Sequence, residues 1–340
     1  MILLLKVDGA MSILSDFYKY VRNSQELKQH EFIFLLNKKY FEETGNIKIK
    51  TDIKKDWLNR FKFDLLTGRK YIKKINPDLV ISLQNTIVFG LKCKQFVYVH
   101  QAIPFQKDKK FSFFKKAERK YAIIQKIIGG IIKKSIKKAD LTIVQTKWMK
   151  KAVINCTHIN EKKIISMMPN MQIEKCENNI KFCNNSFFYP ASKELYKNHK
   201  CIYDACKILN ENREIDYKVD LTIENGEIIN NINYIGKLPI NKVYEKYESS
   251  TLVFPSYIET VGLPLIEAKE NSSIILAADC DYSREVLAGY ENAYFFNPFK
   301  PEELAILMKK IISNDIIKKE TKSIYSKEII GWDYFFSIIE

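Results

Sequence analysis

Short apolar runs alternate with longer mixed runs through both halves of this chain. In the first half, the runs read as strands are Ile2–Lys6, Glu31–Leu36, Leu79–Leu83, Phe96–His100 and Leu141–Gln145. In the second half they are Phe187–Tyr189, Val219–Ile223, Asn233–Gly236, Leu252–Pro255, Ile274–Ala277 and Tyr294–Phe296. Helical patterns fall between them, among them Asn198–Leu209, Lys242–Glu248 and Pro301–Ile312. Strands alternating with helices predict βαβ units and a parallel sheet in each half. The stretch from Pro169 to Asn185 is polar and poorly periodic and reads as a linker. The expected organisation is a first domain over 1–170, a linker over 171–185 and a second domain over 186–326. A closing segment, 327–340, carries the aromatic run Trp332-Asp-Tyr-Phe-Phe336 and is predicted helical. It belongs either to the core of the second domain or to a helix that crosses back to the first. Two open α/β domains would bind a ligand in the cleft between them, beyond the carboxyl ends of their strands.

One stretch stands out chemically. Glu259-Thr-Val-Gly-Leu-Pro-Leu-Ile-Glu267 follows the apolar run Thr251–Ser256 and leads into a helix-like run. A strand, a loop with one carboxylate and a helix with a second make a ligand-binding geometry. Amide N–H groups at a helix start favour anions such as phosphate. A carboxylate beside them accepts hydrogen bonds from neighbouring hydroxyls, as in ribose recognition. Gly262 permits close backbone approach or a tight turn, and Pro264 fits a first helical turn.

Composition narrows the partners. The 340 residues favour two domains, and 46% hydrophobic with 28% charged content predicts a packed globular protein. A formal net charge of +15 points to an acidic partner (phosphate, an anionic membrane surface or nucleic acid) or to a compositional bias spread over the chain. No recognition motif supports nucleic acid, so none is expected as a partner. Seven dispersed cysteines without a C-x-x-C pair fit reduced thiols in a cytoplasmic protein. His199, Cys201 and Cys206 fit no common zinc spacing. Met1–Leu5 is too short for a signal-peptide core, and no run reaches transmembrane length.

The second half resembles retaining glycosyltransferases of the GT-B fold, family GT4. The resemblance runs through Tyr234–Leu238, Val243–Tyr247, Leu252–Ser256 and Glu259–Ala268, and on through Ser283–Val286, Asn297-Pro298 and Pro301–Leu304. The family's E-x7-E pattern falls on Glu259 and Glu267, embedded in Gly-Leu-Pro-Leu-Ile-Glu-Ala. Phe187-Phe-Tyr-Pro-Ala-Ser192 with Tyr196-Lys-Asn-His-Lys200 is similar to the strand–loop–helix that opens the family's donor domain. This branch resembles sugar transferases of bacterial O-antigen and surface-polysaccharide assembly. In the first half, Asp78–Asn85, Val97–Gln101 and Val144–Met149 resemble the family more loosely.

What the resemblance implies is a metal-independent transferase with no cofactor. It would move a hexose-type sugar from a nucleotide-diphosphate donor to a lipid-linked glycan, at the inner face of the cytoplasmic membrane. Lys197 would meet the diphosphate, and Lys193 is a second candidate where the family has another cation. Glu267 would bind ribose hydroxyls and Glu259 the transferred sugar. Thr260, Val261, Gly262 and Leu263 would offer backbone N–H groups to sugar or phosphate. His100 would reach the donor sugar from the first domain, and Gly9, in the loop after the first strand, would leave room for ligand. Each has a plainer alternative: a solvated lysine, a helix-surface glutamate, a structural strand-end histidine. Glu285 reads as a helix-surface residue. The resemblance also admits a non-catalytic sugar-nucleotide-binding component of an assembly complex.

The stretch Lys109–Lys138 holds eleven basic residues and one acid, Glu118, with aromatics interleaved. Phe114, Ala117, Tyr121, Ile124, Ile128 and Ile131 recur at helical spacing, and Gly129-Gly130 is expected to interrupt that helix. A basic aromatic start can dock on anionic lipid; an isoleucine stripe packs inward.

Overall fold

A computed structural model describes residues 2–4, 8–51, 62–168, 180–211, 215–320 and 331–338. Positions 171–179 of the expected linker, and 327–330 and 339–340 of the closing segment, lie outside them. The chain divides into two compact units. One is Met1–Asn170 with Glu328–Glu340, the other Met171–Lys327.

The first unit holds a parallel sheet of seven strands among the described residues: β1 (Ile2–Leu4), β2 (Phe32–Leu36), β3 (Ile47–Lys50), β4 (Leu79–Ser82), β5 (Lys94–Val99), β6 (Leu141–Val144) and β7 (Ile164–Ser166). Their order is β3-β2-β1-β4-β5-β6-β7. Parallel strands covered on both faces read as nearly continuous apolar runs, and β6, Leu-Thr-Ile-Val, is buried at every position. Helix Asp8–Asn23 follows β1. It packs Ile13, Leu14, Phe17, Tyr18 and Val21 into the core, the spacing of one helical face. That periodicity carries the helix back past Gly9, which stands in its first turn instead of in the expected loop.

Helix Trp332–Ser337 belongs to this unit's core. Trp332 meets the Phe17 ring edge-on at 4.6 Å, and its indole Nε1 donates to Asp16 Oδ2 at 2.7 Å. Burial raises the Asp16 pKa, and the indole hydrogen bond opposes that rise. Tyr20 donates to Asp333 Oδ1 at 2.8 Å.

The basic segment departs from its expected periodicity. Residues Arg119–Ile123, Ile124–Ile128 and Gly129–Lys138 form one unbroken helical path with a π-helical turn in the middle. The extra residue shifts the buried stripe from Tyr121 and Ala122 to Ile132, Ser135 and Ile136. Gly129 does not break the helix; a Cβ there would come within 2.8 Å of Pro104. Phe114 and Ala117, counted on the stripe, are exposed and precede the helix.

The second unit is a parallel sheet of β8 (Ser186–Tyr189), β9 (Lys218–Leu221), β10 (Ile232–Tyr234), β11 (Thr251–Phe254), β12 (Ile275–Ala278) and β13 (Ala293–Phe296). Its order is β10-β9-β8-β11-β12-β13. β8 and β11 are hydrogen-bonded neighbours, with Thr251 opposite Phe187 and Leu252 opposite Phe188. The sheet is built outward in opposite directions from this pair. The loops after β8 and β11 therefore diverge, which leaves a crevice at their carboxyl ends.

Phe335 is fully buried in the first unit's core, whereas Tyr334 is 45% exposed. Phe335→Ala is expected to cost about 3–5 kcal/mol and lower a calorimetric unfolding transition. Tyr334→Ala should stay within about 0.5 kcal/mol of the parent.

Candidate functional site

The chemistry collects where β8 and β11 end. After β8 the chain turns through Leu195–Lys197, a 3-10 turn, and enters helix His199–Asn210. Lys197 thus precedes the helix instead of opening it. Asn198 joins the two at φ +59, a left-handed conformation that asparagine tolerates better than most residues. Its side-chain amide donates to the carbonyls of Pro255 at 3.2 Å and Pro298 at 2.7 Å. Those carbonyls follow β11 and β13. Tyr257 N–H donates to the Tyr196 carbonyl at 3.1 Å, and Tyr189 donates to the Lys197 carbonyl at 2.8 Å. The two loops are stitched together at the crevice.

This stitching brings Lys197 and Glu259 into an ion pair, Nζ to Oε1 at 2.5 Å, with side chains only 17% and 15% exposed. Ser256, fully buried, donates to the same carboxylate oxygen at 2.8 Å. Its carbonyl accepts from the Tyr282 hydroxyl at 2.5 Å, which fixes the loop from the far side. A partly buried ion pair is a costly arrangement unless other groups complete its hydrogen bonding. An ammonium has three donors, and the pair with Glu259 uses one. Lys197 can hold Glu259 and an incoming anion together.

Glu267 sits in helix Leu263–Glu270 and is held apart from that pair. The fully buried Tyr247, on helix Ile240–Ser249, donates to its Oε2 at 2.9 Å. Burial raises the Glu267 pKa, and the Tyr247 hydroxyl partly offsets this. A carboxylate kept in such a place with one tyrosine donor still has acceptor sites for hydroxyls.

Thr260, Val261 and Gly262 bridge Glu259 to the helix that Leu263 begins. Gly262 has φ +77, and a Cβ would meet Tyr282 at 3.2 Å, Leu265 at 3.3 Å and Phe254 at 3.4 Å. Conformation and space both demand glycine there. Lys193 lies on the same loop as Lys197 but is exposed and donates to Asn225, to its Oδ1 at 2.8 Å and its carbonyl at 3.1 Å. His199, beside Lys197, is pushed down to about 4, first by burial and then by Lys197 and Lys193. It is neutral at physiological pH, so the positive charge of this loop rests on the lysines.

His100 and Gly9 belong to the first unit. His100 follows β5 and is gripped by Asn85, which stands after β4 at φ +68. Asn85 Oδ1 accepts the His100 N–H at 2.7 Å, and Asn85 Nδ2 lies 3.2 Å from His100 Nε2. That contact needs Nε2 as the acceptor. Glu285 lies half-exposed on helix Asp281–Val286. Among the described residues no group of three or more His, Cys, Asp or Glu is placed to hold a metal ion. Three residues of the site escaped the sequence reading: Asn198, Ser256 and Tyr247. All three stand inside quoted motifs, but none carries a local signal of the partner it meets.

Residues 172–328 match the family model for Glycosyl transferases group 1. The chain is 23% identical over 243 residues to the O-antigen chain mannosyltransferase RfbU of Salmonella typhimurium, covering 68% of this chain and 64% of that protein. It is 27% identical over 217 residues to the capsular polysaccharide biosynthesis glycosyltransferase CapH of Staphylococcus aureus, covering 60% of this chain and 61% of that one. It therefore spans less than two thirds of either relative. Among solved structures, WaaG, a glycosyltransferase involved in lipopolysaccharide biosynthesis, superposes with a TM-score of 0.65 at 12% identity over 92% of this chain and 90% of that chain. HepE from Anabaena, solved with UDP-glucose, gives 0.61 at 14% identity over 92% and 89%. The fold is α/β with parallel sheets, that of the GT-B glycosyltransferases.

Because burial raises the Glu267 pKa above 4.5, the folded chain holds this proton more tightly than the unfolded chain does. The stabilising difference is complete below about pH 4.5 and is lost as pH rises through the folded value. Above that value this contribution to stability is gone. Glu267→Gln is expected to raise the melting temperature at pH 7 by a few degrees, the scale on which ~1 kcal/mol acts in a domain of this size. The gain should shrink towards pH 4. Thermal unfolding of both proteins across that range checks it.

Proposed function

We propose that the chain is a GT4-type glycosyltransferase that moves a hexose-type sugar from a nucleotide-diphosphate donor to a hydroxyl of a growing surface glycan, with retention of configuration. One observation carries this reading. Lys197 and Glu259 pair at the switch point of a parallel sheet, and Glu267 stands on the helix that follows the same loop, all inside the stretch that matches the group 1 family model. The names of RfbU and CapH support a surface-polysaccharide acceptor, which we take to be lipid-linked.

The reaction breaks the bond between the anomeric carbon and a diphosphate oxygen. Electrons pass to the diphosphate while the sugar becomes oxocarbenium-like. Lys197 meets the charge that grows on the leaving group, the largest electrostatic task of the step. Glu259, oriented by Ser256, accepts hydrogen bonds from hydroxyls of the transferred sugar. Glu267, oriented by Tyr247, accepts them from the ribose. Amides of Thr260–Leu263 and Lys193, on the same loop as Lys197, add to the donor site. The acceptor hydroxyl attacks from the face the diphosphate leaves, and its proton passes to the departing phosphate. Neither a metal nor a cofactor enters this scheme. The enzyme would work at the inner face of the cytoplasmic membrane. No helix among the described residues is long and apolar enough to cross a membrane.

A second reading, a non-catalytic sugar-nucleotide-binding component, draws on Lys193, which is turned to Asn225. Product formation separates the two. Calorimetry against UDP-, GDP-, ADP- and dTDP-sugars should give heat with at least one. With that donor, Lys197→Ala should lower kcat/KM by about 10²–10³-fold. Glu267→Ala should weaken donor binding with the fold intact. Donor binding without turnover would favour the second reading. Absence of heat with every donor would remove both.

A further inference from the structure

Loop Phe111–Glu118 of the first unit has a construction that donor chemistry does not use. Phe111 turns inward, buried, with its ring 5.1 Å from that of Tyr121. Phe113 and Phe114 turn outward, 40% and 94% exposed. The loop is not a loose excursion. Glu118, 8% exposed, accepts the Ser112 N–H at 2.9 Å, and Lys109 and Lys115 face it at 3.4 and 3.9 Å. Gln125 accepts the Phe111 N–H at 3.0 Å and donates to the Lys109 carbonyl at 2.8 Å. Ser112 Oγ accepts the Phe114 N–H at 3.2 Å, and Arg119 Nε donates to the Phe113 carbonyl at 3.1 Å. An aromatic pair is thus held in water by a hydrogen-bonded frame.

Its surroundings are cationic. Residues 107–120 hold seven basic side chains against two acidic ones, and one of those acids is the buried Glu118. Lys107, Lys110, Lys115, Lys116, Arg119 and Lys120 are all exposed. Two exposed phenylalanines with exposed cations on both sides of them along the chain match a bilayer whose headgroups are anionic and whose acyl boundary is apolar. Single-stranded nucleic acid would need a basic groove that tracks its backbone as well as exposed rings, whereas here both exposed rings belong to one short hydrogen-bonded loop.

We propose that this loop is an interfacial anchor: Phe113 and Phe114 enter the acyl boundary of an anionic bilayer while the surrounding lysines and Arg119 hold its headgroups. This names the partner surface of the proposed enzyme and rests on that reading for its purpose only; the anchoring itself is separable from transfer.

Co-sedimentation of the full chain with phosphatidylcholine vesicles, with and without phosphatidylglycerol, tests it. Binding should require the anionic lipid and weaken as salt rises. Phe113→Ser with Phe114→Ser should lower the partition coefficient about tenfold or more. Glu118→Ala makes the chain more basic yet unlocks the loop, so it should weaken binding, whereas a purely charge-driven attachment would strengthen. Donor-sugar binding measured by calorimetry should be unchanged in the phenylalanine variant. Indifference to anionic lipid, wild-type partitioning of the phenylalanine variant, or tighter binding by Glu118→Ala would overturn the anchor. So would retention on DNA without vesicle binding. Loss of donor binding in the unmodified protein would strike the enzymatic reading and leave the anchor standing.

Discussion

Asn198 is the residue on which the geometry of the site depends. It occupies a left-handed conformation between a 3-10 turn and a helix, and its amide reaches carbonyls that follow two other strands. Three strand ends of one sheet are registered by a single side chain. A parallel sheet delivers loops to its carboxyl edge but does not fix their distance from one another. The bonds from Asn198, together with the Tyr257 to Tyr196 link, do so. Only with those loops fixed does Lys197 stand within 2.5 Å of Glu259.

The electrostatics follow from that placement. The loop after β8 concentrates positive charge on lysines, since its histidine is driven neutral by burial and by those same lysines. Two carboxylates are kept within reach under unequal conditions. Glu259 has its charge balanced by Lys197 and a serine donor; Glu267 has a tyrosine donor and a raised pKa from burial. A carboxylate that burial holds above its ordinary pKa is better explained by what it binds than by the fold. On the proposed reading, diphosphate meets the lysine and hydroxyls meet the two acids.

The legible and illegible parts of the sequence separate along physical lines. Interior strands such as β6 and β11 are buried on both faces, so they read as apolar runs. The two strands absent from the sequence reading, Ile47–Lys50 and Ile164–Ser166, are the edges of the first unit's sheet. An edge strand is short and half-covered, and its pattern is no stronger than a loop's. The Glu259 to Glu267 motif was legible because loop, proline and helix start are all local. Asn198 and Tyr247 were not, because their partners lie 57 and 20 residues away along the chain. The π turn at Ile124–Ile128 misled the helical count by one residue, enough to move the buried stripe to other side chains. Gly9 was placed in a loop that the helix periodicity had already claimed.

A crystal structure of the second unit's site with a bound nucleotide-diphosphate sugar would test the central claim most directly. The account predicts diphosphate oxygens within hydrogen-bond distance of Lys197 Nζ, ribose hydroxyls on the Glu267 carboxylate and Tyr247 still donating to it. A donor seated elsewhere, with the Lys197–Glu259 pair untouched and Glu267 facing no hydroxyl, would contradict it.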